Sequence, residues 1–265
     1  MLDSEICCVH PQPGTSAVWW LGQSGYAIRS HYGGVILVDP FLSDSISHGY
    51  RPYTHERLVP APLDWHHDSL KPEAVLITHE HQDHCDNVYL TRLAQSGETR
   101  FIGPPPVCER LELWDIDPHL ITAVSPGTHI QLSWGLLTVV KSVHTAQAVG
   151  YVLDATDGPR IYVAGDTGLF LGMRQIGDLG LDCAILPING QYDNLGIDGA
   201  LEALKLLMPT IAIPCHFGMF ADNTECPERL AYAVRAAQLP IEVKIPKHAE
   251  MMGISSAKSR HQRSP

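Results

Sequence analysis

Five short apolar runs in this 265-residue chain each close, within two residues, on an acid or a histidine. They are GVILVD ending at Asp39, AVLIT before His79, LLTVVKSV before His144, RIYVA before Asp166 and TIAIP before His216. Runs of this length, rich in Val, Ile, Leu and Thr, read as strands. In α/β proteins ligands gather outside the carboxyl ends of such strands. The pattern therefore asks for an α/β fold with its chemistry at strand ends.

The rest of the chain fits that frame. Residues 17–21 and 26–29 flank the turn Gly22-Gln23-Ser24-Gly25 as a hairpin. Helices are expected over residues 87–95, with Asp86 as N-cap, and over 198–207, with Asp198 as N-cap. A third is expected over 227–238, opening on Pro227, and a helical turn over 107–113. Further strands are expected at 101–102, 150–153, 182–187 and 241–245. No repeat or low-complexity linker divides the chain. One α/β domain over residues 1–254, with sheets inside and helices outside, is the expectation, and the basic stretch 255–265 reads as a disordered tail. The loop over residues 42–71 holds His48, His55, His66 and His67, which read as exposed loop histidines. Loops of that length act as lids or mobile segments.

Composition narrows the function classes. The formal net charge of -11 argues against a nucleic acid as partner. No apolar run approaches the 18 or so residues of a membrane span, and no signal peptide is visible. Seven cysteines without a CxxC pair read as free thiols of a cytoplasmic protein. Fifteen histidines against 18 Lys plus Arg is a high ratio, and histidine is the commonest metal ligand.

The densest chemistry is THEHQDHCD, residues 78–86. A polar strand-to-helix turn capped by Asp86 would explain the acid but not three histidines. Side chains two apart share a face, so His79 and His81 can meet one ion, while Asp83 and His84 reach a second position. Imidazole and carboxylate suit zinc, manganese or iron. Glu80, Gln82 and Cys85 are expected to bind neither ion. With His144, Asp166 and His216 the candidates become five histidines and two aspartates.

HEHQDH, then His144, Gly165-Asp166-Thr167 and His216, resembles the metallo-β-lactamase superfamily of hydrolases in order, residue type and strand context. The resemblance runs from Trp19 to about Ile245. It implies a four-layer αββα sandwich with a dinuclear site at one edge of the two sheets. It implies that His79, His81 and His144 hold one metal, that Asp83, His84 and His216 hold the other, and that Asp166 bridges. It makes Asp39 the buried acid behind the ligands, orienting an imidazole. WLGQSGYAI, LPINGQYDNLG and IPCHFGMFADNT are further similar to the L-ascorbate-6-phosphate lactonase-like branch. Gly190-Gln191-Tyr192 departs from that branch's Asn-Gly-Arg-Asp, so an arginine that would meet an anion is missing. Oligomers are common in the branch, which implies a homo-oligomer here.

The implied activity is metal-dependent hydrolysis of a lactone or similar ester of a small, sugar-acid-like molecule, by hydroxide generated between two divalent ions. Asp83 and Asp166 would orient the hydroxide, with Asp83 carrying the proton to the leaving group. Asn189, Tyr192 and Asn194, after a strand end, are candidates to bind substrate; Gln23 and Ser24 are weaker ones. Cys215 reads as a buried small residue. A phosphodiesterase would use the same site. A binding protein that had lost its metals would not keep seven ligand positions, and a redox partner of flavin would need a second domain.

Overall fold

The computed structural model describes residues 2–46, 57–67 and 69–257. His48, His55 and residues 258–265 lie outside the described residues. Two seven-stranded sheets form the molecule. The first runs, edge to edge, Met251–Ser255, Thr15–Gly22, Gly25–Ser30, Val35–Val38, Ala74–Leu76, Arg100–Gly103 and Ile121–Ala123. The second runs Glu242–Val243, Ile211–Cys215, Cys183–Pro187, Arg160–Val163, Val149–Ala155, Gly135–Lys141 and His129–Leu132.

Alternation along one strand shows how the layers stack. Val18 and Trp20 join the core shared with Leu137, Val139, Tyr151 and Leu153 of the second sheet. Ala17, Trp19 and Leu21, on the other face, pack with Tyr89, Leu90, Leu93, Val107 and Leu111 of the helices Asn87–Ala94 and Pro105–Leu113. Successive side chains point to opposite faces, so a strand buried on both sides reads as continuously apolar. The second sheet is covered likewise by Ile197–Leu207, whose Ala200, Ala203, Leu204 and Leu207 are buried, and by Pro227–Ala236. This is the expected four-layer α/β sandwich, as a single domain.

Within each sheet one half is parallel. Val35–Val38, Ala74–Leu76, Arg100–Gly103 and Ile121–Ala123 run together, as do Arg160–Val163, Cys183–Pro187, Ile211–Cys215 and Glu242–Val243. The ends of the two halves are tied across the sandwich. Tyr151 donates its hydroxyl to Ile77 O and Ile102 O at 2.8 and 3.1 Å, and Val149 N donates to Thr78 O at 3.0 Å. Gly165, at φ +61°, lets the sheets touch there: a Cβ would lie 2.6 Å from the Thr78 side chain.

Asp86 caps Asn87–Ala94 as expected, accepting from Val88 N and Tyr89 N. It also accepts from Leu42 N, Ser43 N and Ser43 Oγ at 3.0, 2.8 and 2.6 Å. Asp86→Ala should therefore cost more than a cap. We expect a loss of about 2–4 kcal/mol in urea unfolding, because buried donors lose their acceptor as well. A loss below about 1 kcal/mol would show that water replaces the carboxylate.

Three expectations need correction. The second long helix starts at Ile197, with Gly196 as its N-cap in extended conformation, and Asp198 sits inside the first turn. Gly196 lies against Gly190 and gives the helix no side-chain cap. Residues 255–257, expected in the tail, pair with the body of the domain. Ser255 pairs with Thr15, Ser256 N bonds Gly14 O, and Ala257 N bonds Asp182 Oδ1 at 2.9 Å. The helical turn expected over 107–113 is the longer helix Pro105–Leu113. Among the described residues no helix is long and apolar enough to cross a membrane.

Candidate metal centre

Strand ends deliver the candidate residues to one edge of the sandwich. Asp39 follows Val35–Val38, His79 follows Ala74–Leu76, and His144 follows Gly135–Lys141. Asp166 follows Arg160–Val163 and His216 follows Ile211–Cys215. The tight turn 80–86 folds back through His84 N and Cys85 N onto His81 O at 3.0 and 2.8 Å, which brings Asp83 and His84 beside His79.

The seven residues form two clusters joined by one acid. His81 Nδ1 lies 3.0 Å from His79 Nε2 and 3.1 Å from His144 Nε2. Asp83 Oδ2 lies 3.4 Å from His216 Nε2 and 3.8 Å from His84 Nε2. Asp166 spans both: Oδ1 is 3.3 Å from His84 Nε2, while Oδ2 is 3.4 Å from His216 Nε2 and 3.7 Å from His144 Nε2. His81 is the exposed member, so the first cluster opens to solvent.

These donors fit a cation. Neutral imidazole nitrogens 3 Å apart either share a proton or turn lone pairs toward one another, and an ion between them removes the conflict. His84 Nε2 and Asp166 Oδ1 are buried, face each other, and have no hydrogen-bond partner. Each cluster offers three ligand atoms, and nitrogen with carboxylate oxygen suits zinc, manganese or iron.

The electrostatics agree. Burial opposes charge on His84, but Asp166, Asp83 and Asp39 outweigh it and hold its pKa well above the usual value. Burial opposes charge on His216 too, and Asp166 and Asp83 raise it to about 9. In return, although burial resists ionisation, His84 and His216 hold the carboxyls of Asp83 and Asp166 far below the usual range. Positive charge is therefore favoured among these carboxylates, as a bound cation would supply it. Burial pushes His79 and His144 down, keeping them neutral, as ligands must be.

A second layer fixes the first. Asp39, fully buried, accepts from His84 Nδ1 at 2.8 Å, Thr78 N at 2.8 Å and Thr78 Oγ1 at 2.7 Å. Burial raises its own pKa against the pull of His84 and Thr78. The bond at Nδ1 leaves His84 Nε2 facing the centre. Thr78 Oγ1 also lies 3.0 Å from His79 Nδ1. Ser142 Oγ donates to Asp166 O, and Thr167 Oγ1 accepts from Val143 N, tying the His144 and Asp166 loops together. Thr78 was not singled out from sequence; its position directly before His-x-His is the signal that could have found it.

The residues expected to bind neither ion point elsewhere. Glu80 accepts from Thr145 Oγ1, Gln82 donates to Ser45 O, and Cys85 is buried in the apolar cluster. Burial holds the Cys215 thiol protonated, which removes it as a nucleophile. His66 and His67 are exposed. The substrate candidates divide. Asn189 is buried and donates to Asn223 Oδ1 at 2.8 Å. Asn194 is buried and donates to Asp166 Oδ2 at 2.8 Å. Tyr192 is 64% exposed. Ser24 Oγ lies 3.8 Å from Cys215 Sγ. Gln23 reaches the centre itself, donating Nε2 to Asp83 Oδ2 at 2.9 Å.

Four of these residues adopt left-handed backbone without being glycine: Gln23 at φ 51°, Asp39 at 43°, Tyr192 at 53° and His216 at 60°.

Comparison with known proteins bears on this geometry. The family of the β-lactamase superfamily domain matches residues 35–217, which include all seven candidate ligands. A UPF0173 metal-dependent hydrolase of Thermoplasma acidophilum is 32% identical over 224 residues, 79% of this chain and 87% of that protein. Igni18, a metallo hydrolase of Ignicoccus hospitalis, superposes with TM-score 0.72 at 25% identity, over 91% of this chain and 99% of that one. An isothiocyanate hydrolase from Delia radicum gut bacteria shares the fold, with TM-score 0.73 at 18% identity over the same shares of the two chains.

Proposed function

Because this chain belongs to the metallo-β-lactamase superfamily, among the UPF0173 metal-dependent hydrolases, we propose that it uses two divalent ions to open a lactone or similar ester of a small, sugar-acid-like metabolite. The observation that carries the reading is the pair of three-atom clusters joined by Asp166. His79, His81 and His144 would hold one ion and Asp83, His84 and His216 the other, with Asp166 available to both. Bound there, such ions supply a water acidified to a pKa of about 7 and a Lewis acid for the carbonyl oxygen. Asp83 would carry a proton to the departing oxygen. Asp39 orients His84, and Asn194 orients Asp166.

The mouth of the centre favours an uncharged ring over a phosphate ester. Its loops are knitted by Gly168 N to Val143 O and Leu195 N to Thr167 O, both 2.8 Å. They expose Val143, Leu169, Leu171 and Tyr192. Residues 142–147, 166–171 and 189–195 contain no lysine or arginine. Tyr192 offers an apolar face and a hydroxyl, which suits a sugar-like ring. No disulfide joins any of the seven cysteines, which supports a reducing, cytoplasmic setting.

The test is turnover of a panel of lactones, phosphodiesters and β-lactams by protein loaded with Zn²⁺ or Mn²⁺. Lactone opening should exceed phosphodiester cleavage by at least about tenfold, a difference of about 1.4 kcal/mol in transition-state binding. Cleavage of the phosphodiesters alone would replace the reading. Protein that neither contains nor takes up metal would end it.

A further inference from the structure

We propose that Gln23 is a positioning residue for one half of the centre: its amide N–H fixes the Asp83 oxygen that faces His84 and His216. The proposal rests on the two-ion reading above and adds what this chain does to hold the second ion.

Gln23 is fully buried and clamped through its main chain. Its carbonyl accepts from Trp20 Nε1 and from His216 N, both at 2.9 Å. Trp20 stacks on Phe217, the residue after His216, with ring centroids 4.7 Å apart. The turn and the His216 strand end therefore move as one unit. From this anchor the side chain sends Nε2 to Asp83 Oδ2 at 2.9 Å and comes within 3.3 Å of His216 Nε2. That oxygen is the one that converges with the two imidazoles.

Charge fixes which way the amide points. Its oxygen, placed against Asp83, would meet an ionised carboxylate; its nitrogen donates to one. The other end, Oε1, is buried without a partner. A buried glutamine with half its amide unpaired is a poor packing residue, so the donated bond is what its side chain contributes. A carboxylate held by a fixed donor is preorganised for a cation, as outer hydrogen bonds are to metal ligands generally. None of the hydrogen bonds of Gln23 goes to His79, His81 or His144, so the effect is confined to one site.

Gln23→Met tests this. It keeps an unbranched side chain of similar length and the same demand on the backbone, and it removes only the polar amide. Metal-free full-length protein is titrated with Zn²⁺ against a chromogenic chelator, and thermal unfolding is followed alongside. The wild type should bind two ions. The variant should bind one with affinity within about twofold of wild type and the other 10–100-fold more weakly. Its metal-free midpoint should be equal or higher. Gln23→Leu, a second donor-free side chain, should do the same. Unchanged affinity at both sites overturns the positioning role. Equal loss at both sites, together with a lower midpoint, overturns it as well, since that is what a packing role gives. A wild type that binds one ion overturns the two-ion reading itself.

Discussion

Asp166→Ala should lower kcat/KM by about a thousandfold or more and leave the fold standing. Among the described residues Asp166 alone has oxygens that approach imidazoles of both clusters, at 3.3 to 3.7 Å. Without it the two clusters lose the acid that approaches both, and His84 and His216 each lose the carboxylate that most favours positive charge on them. Two ions acting together stabilise transition-state charge by several kcal/mol, and each 1.36 kcal/mol is a factor of ten in rate. The fold should survive because the main-chain carbonyl, which takes the Ser142 hydroxyl at 2.6 Å, is untouched by the substitution, and the one side-chain amide that loses its acceptor is that of Asn194. Steady-state kinetics beside urea unfolding reads both halves. A variant that keeps a tenth of the activity would show that the clusters work independently.

Asp39→Ala should instead strike the fold first. The carboxylate and His84 form a pair with no exposed side-chain surface, and two donors of Thr78 share it. Removing one partner of a buried pair costs about 3–5 kcal/mol, because the other is left with no acceptor. In a chain of this size that amounts to roughly 10 °C in the unfolding midpoint. His84 would also lose the bond that aims its Nε2, so metal affinity at its site should drop about 10–100-fold. The two effects separate by experiment: unfolding of chelated protein reads the first, and metal titration of the folded variant at low temperature reads the second. If stability holds and only metal affinity falls, water fills the place of the carboxylate.

The parts of this architecture legible in the sequence are those where one physical demand dominates. GVILVD, AVLIT and RIYVA are buried on both faces, and continuous apolar runs say so. The candidate metal ligands were legible because few residue types bind a divalent ion and all seven stand in loops that follow four strand ends. The strand Met251–Ser255 was missed because it is an edge: only Ile254 is buried, and its evidence is its pairing with Thr15–Trp19 more than 230 residues away. Leu2–Cys8, Ile121–Ala123, His129–Leu132 and Met173–Gly177 are short or half exposed, too brief to show a period. The roles of Gln23 and Asn194 were illegible for another reason. An amide is generic, and Gln23 gains its task from a carboxylate 60 positions later in the chain.

The left-handed backbone at Gln23, Asp39, Tyr192 and His216 has a consequence for how such a protein can change. L-residues in that region carry a strain of about 1–2 kcal/mol each, which glycine escapes and asparagine partly escapes. At Asp39 the buried bonds to His84 and Thr78 outweigh that strain, so the residue serves the fold as well as the centre. At Gln23, Tyr192 and His216, under selection for foldedness alone, the strain has less to offset it. A lineage released from its substrate would drift at these three first, toward glycine, and would become sturdier as it lost its chemistry. Activity and robustness are set against each other here in three specific torsion angles, and a thermostabilised variant reached by relaxing them would be the one to distrust as a catalyst.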